Sequence, residues 1–149
     1  MANITILFGE MGGGKNYWGE IMAKQDGATF FDGDTVATPE MVARVSKFRP
    51  LSREIIEEYI CVLIAAITMK ADDLGDLVVA QALYCNDDRE FIEEMLSGQG
   101  LRVRFVWVRT RFWQNLKQIY SRPKGLRWVL YWLMNKPFFQ KPTHKHGII

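Results

Sequence analysis

Residues 101–149 contain no aspartate or glutamate, although the whole chain has 17. They carry 11 of its 19 lysines and arginines and four of its five tryptophans, leaving 8 basic and all 17 acidic side chains in residues 1–100. A half so one-sided must meet an anion: phosphates, nucleic acid, a lipid surface, or the acidic half of its own chain. Cysteine is scarce too. Cys61 and Cys85 stand in apolar surroundings without CxxC or Cys/His spacing, which speaks against a metal knuckle or a disulfide framework. They read instead as buried core thiols in a reducing compartment. Long apolar runs are missing. The longest, "YICVLIAAITM" (Tyr59–Met69), is too short to cross a bilayer and reads as a buried helix. No cleaved leader fits before the glycine run that starts at Gly9, so a cytoplasmic protein is expected. The only two histidines, His144 and His146, sit among lysines and read as solvated.

What is present is ordinary for a globular chain: 149 residues, 48% apolar and 24% charged, enough for one domain spanning 1–149. "NITILF" (Asn3–Phe8) is a β-branched apolar run ending in glycine, the mark of a buried parallel strand. "ATFFDGD" (Ala28–Asp34), "GDLVVAQAL" (Gly75–Leu83) and "LRVRFVWV" (Leu101–Val108) supply three more, the last with alternating arginines that suit a wetter face or an edge. Between them fall helical segments. Lys15–Lys24 carries Trp18, Ile21 and Met22 on one side; Thr38 caps a helix with Pro39 at its first position; Ser52 caps a long one. "NDDREFIEEML" and "RFWQNLKQIYSR" complete the alternation. Strands alternating with helices at this spacing imply a parallel sheet with right-handed crossovers, whose ligands bind at the carboxyl ends of the strands.

The first of those ends carries "GEMGGGK". Gly9, Gly14 and Lys15 satisfy G-x-x-x-x-G-K between a strand and a helix, the context that a phosphate-binding loop requires. Gly12, Gly13 and Gly14 allow successive N–H groups to turn toward one anion, and the helix N-terminus adds its partial charge. Asn16 stands where such loops place a Ser or Thr hydroxyl on Mg²⁺; an amide oxygen can also ligate a hard cation, but it is bulkier and must be oriented. At the second strand end, Asp32 and Asp34 lie two residues apart and can both face the crevice. One could hold a metal-bound water while the other orients a nucleophile. The alternative is an Asp-Gly turn with a capping carboxylate.

With "GEMGGGK", "FFDGDTV", "RPLS", "LVVAQAL" followed by "DDREF", and "FVWV" in hand, the chain resembles the small P-loop kinases of the gluconate kinase type. More distantly it is similar to shikimate and adenylylsulfate kinases. Order and spacing agree from about residue 3 to residue 125. The resemblance implies a three-layer α/β/α fold of the P-loop NTPase type, with a short parallel sheet of about four strands and a basic aromatic lid or tail at 122–149. It also implies ATP- and Mg²⁺-dependent phosphorylation of a hydroxyl on a small, often acidic metabolite. Under it, Lys15 holds phosphates, Asn16 and Asp32 serve the metal, and Asp32 or Asp34 accepts the hydroxyl proton. Arg49, Asp34 and Arg89 face the substrate, and Arg122 is the lid arginine. The departures are Asn16, Tyr17, Gln81, Tyr84, the apolar Ile55–Ile56, and Leu126 or Arg127 in place of a lid histidine. The sequence also stops soon after the lid, where the family continues into another strand.

The tail "GLRWVLYWLMNKPFF" (Gly125–Phe139) interleaves Trp128, Tyr131, Trp132, Phe138 and Phe139 with Arg127 and Lys136. Residues 122–145 therefore suit nucleic acid or a membrane interface, or a lid helix packed on the sheet through Trp128, Leu130–Tyr131 and Met134. The expected activity is a small-molecule kinase using nucleotide and acceptor. A nucleotide-binding pseudokinase and a polynucleotide 5′-hydroxyl kinase remain open beside it.

Overall fold

The computed structural model describes residues 1–142 and 147–148, so His144 and His146 lie outside the described residues. The element order is β1 (Asn3–Phe8), α1 (Lys15–Asp26), β2 (Thr29–Asp32), a 3₁₀ turn (Gly33–Val36), α2 (Pro39–Ser46) and α3 (Arg53–Leu74). Then come β3 (Leu77–Ala80), α4 (Asn86–Gly98), β4 (Arg102–Trp107), α5 (Phe112–Tyr120), α6 (Gly125–Asn135), a 3₁₀ turn (Lys136–Phe138) and β5 (Gly147–Ile148). The sheet runs β2-β3-β1-β4-β5 and every pairing is parallel. A sheet of four strands was expected; the two-residue β5, beside Val106 and Trp107, is an addition. It is a further strand beyond α6, where the sequence pattern shows none. Its shortness leaves the first half of β4 at the edge, where Arg102 and Arg104 are exposed.

β1 is central and covered on both faces, as its unbroken apolar run requires. Ile4, Ile6 and Phe8 face one core with Tyr59, Leu63 and Ile67 of α3 and Ile92 and Leu96 of α4. Leu7, Val78, Val106 and Val108 face the other, against Ala23 of α1. Each fully buried Leu or Ile contributes about 1.5–3 kcal/mol to this layering. α1 approaches through Gly19 and Ala23, while Trp18 stays more than a third exposed; the ring of Phe30 lies 3.4 Å from where a Gly19 Cβ would stand. The helix thus sits too close for the Trp18 side that the pattern suggested.

Two expectations need correction. Cys61 is exposed and Cys85 half-buried, neither in the core: Cys61 lies outside the buried α3 stripe, and Cys85 is the N-cap residue of α4. α6 does not pack on the sheet. Val129 and Trp132 join Ile119 of α5 in a separate small core that includes Met11 of the glycine loop, while Leu130 and Met134 face outward.

The caps follow the sequence. Thr38 Oγ1 accepts from Met41 N (3.2 Å) and Ser52 Oγ from Ile55 N (3.3 Å). An Arg53–Asp88 ion pair, with Asp88 buried, fastens α3 to α4. Register places Asp32 level with Ala80, Ala80 with Leu7, and Phe8 with Trp107, so the segments that follow these strands open on one edge of the sheet.

Candidate active site

The loop Gly9–Gly14 leaves β1 and returns as α1. Gly12 and Gly14 adopt left-handed φ of 76° and 82°, and a Cβ on Gly12 would stand 2.5 Å from Ile119 Cγ1. Both positions therefore exclude side chains, and Gly14 is also the N-cap residue of α1. The loop is held from β4 and α5. Thr110 Oγ1 donates to Gly13 O (2.7 Å). The buried Asn115 amide is fixed by its surroundings with Nδ2 toward the loop, donating to Gly12 O (2.8 Å) and Met11 O (3.2 Å). Met11 N donates to Tyr84 Oη (3.1 Å), and Lys15 Nζ to Glu10 O (2.8 Å). Lys136 pairs with the Glu10 carboxylate at 3.0 Å. Carbonyls are thus drawn to the α5 side. Asn115→Ala would leave two of them without their donor; we expect a loss of about 1–3 kcal/mol in stability. Thermal unfolding of the variant beside the wild type reads the loss.

Lys15, Asn16, Asp32 and Asp34 meet at the edge of the sheet. Asn16 Nδ2 donates to Asp32 Oδ2 (3.0 Å), joining the loop to the end of β2. Asp32 Oδ1 accepts from Asp34 N (3.0 Å), capping the 3₁₀ turn that carries Asp34. Asp32 therefore acts as the capping carboxylate as well as a member of the cluster. Gly33 between them has no room for a side chain: Ala80 O, Gln81 Oε1 and Tyr59 Oη all lie 3.0 Å from a Cβ there. Tyr59 Oη donates to Gly33 O (2.7 Å). Burial pushes the Lys15 ammonium down to about 8, against the raising pull of Asp34, with Arg122 lowering it further. Asp34 is held above the usual carboxylate range by burial and then by the Asp32 charge, while Lys15, a Gln81 hydrogen bond and Arg122 pull it down. Opposite charges a short way apart, each disfavoured by its surroundings, make a site poised to take up or give a proton.

Arg122 is exposed, with its guanidinium 5.9 Å from the Trp128 ring centroid, and its charge reaches both Lys15 and Asp34. Arg49 lies in the loop between α2 and α3, where its carbonyl accepts from Tyr131 Oη (3.2 Å) and so receives α6. Phe48 beside it makes edge contacts with Trp128 and Tyr131. Arg89 is elsewhere. It is buried, donates to Leu83 O (2.5 Å), Asn86 Oδ1 (2.5 Å) and Gln140 O (2.6 Å), and stacks over Phe8. Burial lowers it to about 10. The structure brings together Lys15, Asn16, Asp32, Asp34 and the charge of Arg122; it does not bring Arg89 to them.

Beyond Gly13 and Asn115 opens a cavity of about 760 Å³, lined by Trp107, Arg109, Thr110, Phe112 and Phe139 among others. Phe139 closes its far wall, against Phe8, Tyr84 and Trp107. Of the tail rings, Tyr131 and Trp132 are buried and Trp128 is partly so, turned toward the protein.

Solved structures superpose on nearly all of this frame. A sugar kinase from Janibacter matches with a TM-score of 0.78 at 17% identity, over 100% of this chain and 84% of its own. The fold is that of the small P-loop kinases. A gluconokinase from Sinorhizobium meliloti matches at 0.76 and 19% identity, over 99% and 81% of the two chains. An APS kinase from Mycobacterium tuberculosis, solved with AMPPNP and APS, matches at 0.71 and 18%, over 99% and 87%. No protein-family model matches the sequence, and no curated protein does. Thr110, Asn115 and Tyr59, which brace the glycine loop and the turn after β2, are residues that sequence reasoning missed. Gln81, a departure from the family pattern, hydrogen-bonds Asp34. No spacing marks any of them, because each acts through backbone carbonyls or a neighbouring carboxylate.

Proposed function

We propose that the chain is an ATP-dependent phosphotransferase acting on a hydroxyl of a small, anionic metabolite. The observation that carries this is the meeting of Lys15, Asn16, Asp32 and Asp34 at the strand ends, within reach of the Arg122 charge. Loop N–H groups and Lys15 bind the β- and γ-phosphates, and the cavity beside Asn115 takes the nucleoside. Asp34, held above the usual carboxylate range by burial, orients the acceptor hydroxyl and takes its proton; Arg122 offsets charge on the transferring phosphoryl group. Arg49 faces the acceptor's anionic group.

Mg²⁺ fits this donor set. Among the described residues no three His, Cys, Asp or Glu form a cage. A hard ion that keeps its waters and binds phosphate oxygens needs only one or two protein oxygens, and Asp32 with Asn16 supplies them. When bound, the ion neutralises phosphate charge. Asn16 must first give up its Nδ2 bond to Asp32 and turn Oδ1 inward. Asn16→Thr removes that step and should strengthen the Mg²⁺ dependence of ATP binding severalfold in calorimetry. The same hydrogen bond favours a second reading, a nucleotide-binding protein without phosphotransfer.

The test is calorimetric titration with ATP, with and without Mg²⁺, followed by an acceptor screen over sugar acids and 5′-hydroxyl oligonucleotides. Mg²⁺-strengthened binding and transfer to a sugar acid support the kinase. Binding indifferent to Mg²⁺ with no transfer supports the second reading, and no ATP binding sinks both.

A further inference from the structure

Apart from Arg127 near its start and Asn135 at its end, α6 is apolar on every side, yet it is packed on one side only. Val129 and Trp132 face α5, and Tyr131 faces the α2–α3 loop. Leu126, Leu130, Leu133 and Met134 recur at helical spacing on the remaining face and are 64%, 55%, 41% and 60% exposed. A helix without a polar face is ordinarily buried against something. On the neighbouring α5, Trp113, Lys117 and Tyr120 share an outward face, with Trp113 76% exposed. Lys117, Lys124 and Arg127 form no ion pair with a described residue, and residues 101–149 contain no acid at all.

These features select among occupants. Nucleic acid is read by rings that stack on bases; here the broad outward face, that of α6, is aliphatic with Tyr131 and Trp132 inside, and the exposed Trp113 and Tyr120 flank it on α5, as amphipathic rings do at a membrane interface. A second copy meeting α6 face to face about a two-fold axis would bring the same stretch of residues 101–149 to both sides, and that stretch has no acid to answer Lys117, Lys124 and Arg127. An anionic bilayer surface satisfies both halves of the pattern, since aliphatic chains enter the acyl boundary and cations meet the headgroups. No helix among the described residues is long and apolar enough to cross a membrane, so the contact lies in the interface plane.

We propose that the outward face of α6, flanked by the cations of α5 and of α6's start, docks on an anionic lipid bilayer. The docking does not depend on the kinase reading.

The test is co-sedimentation with vesicles of phosphatidylcholine alone or with about one-third phosphatidylglycerol. Sedimentation with the anionic vesicles only, weakening as salt rises, is expected. Leu130→Glu with Met134→Glu should lower partitioning by about tenfold or more, and Lys117→Glu with Arg127→Glu should lower it for anionic vesicles. Circular dichroism checks that both variants keep the fold. Failure to sediment with anionic vesicles, or unchanged partitioning of the first variant, would overturn the proposal. So would concentration-dependent association in light scattering that Leu130→Glu disperses, or displacement from vesicles by an oligonucleotide whose binding the same variant abolishes.

Discussion

Asp34→Asn should lower the phosphotransfer rate by about 10²–10⁴-fold while ATP binding measured by calorimetry survives. The amide keeps the shape and the Gln81 neighbour but cannot accept the hydroxyl's proton. The pH profile separates this from a mere packing defect. Burial and the Asp32 charge raise Asp34 above its ordinary 3.8. The accepting form is therefore lost at a higher pH than for a free carboxylate. The wild type should show an acid limb in kcat/KM at that raised position, and the variant should lack it. Stability moves the other way. The native state prefers the protonated Asp34, so this group's contribution falls as pH rises from 3.8 through the raised value. A variant that loses rate but keeps the limb would remove Asp34 from the proton's path.

Lys15→Met should weaken ATP binding by about 10–100-fold, the range set by one or more lost charge-assisted hydrogen bonds. Burial holds the wild-type ammonium near 8, against 10.5 when free. Phosphates brought beside it favour the charged form, so binding above pH 8 must take up a proton. Wild-type affinity should fall by up to about tenfold per pH unit above 8, and calorimetry in buffers of different ionisation heat should show the uptake. Lys15→Met should abolish both. For stability, the unfolded chain keeps the proton between about 8 and 10.5 while the native chain has lost it, so stability rises across that window. The methionine variant is accordingly expected to be more stable at neutral pH than the wild type, a trade of stability for function.

The parts legible in the sequence are the local ones. Thr38 with Pro39, and Ser52, announce their helices because a cap is satisfied within three residues. Gly9 to Lys15 and Asp32 to Asp34 are legible because a tight turn and a strand end constrain few residue types. Arg89 shows the limit. "NDDRE" reads alike whether the helix start faces water or, as here, a carbonyl 51 residues away at Gln140. Asn115 gives no local sign either, since its partners are carbonyls of the distant loop. The outward position of Cys61 needed the helix's rotational setting, which the dense apolar run around it conceals. The parallel sheet followed from alternation; the order β2-β3-β1-β4-β5 did not, because it rests on contacts between distant segments, and two residues of β5 are too few to make a pattern.

The tie between Gln140 and α4 bears on how the chain is born. Gln140 N donates to Tyr84 O (2.8 Å), and its side chain and carbonyl receive Asn86 N and Arg89. During vectorial synthesis α3, β3 and α4 emerge well before residue 140. Until it follows, the nascent chain must leave the Arg89 guanidinium short of an acceptor and the Phe8 ring without Phe139. The stretch that closes the crevice thus leaves the ribosome after the strands and helices it covers, and the crevice takes its final shape later than the sheet that frames it.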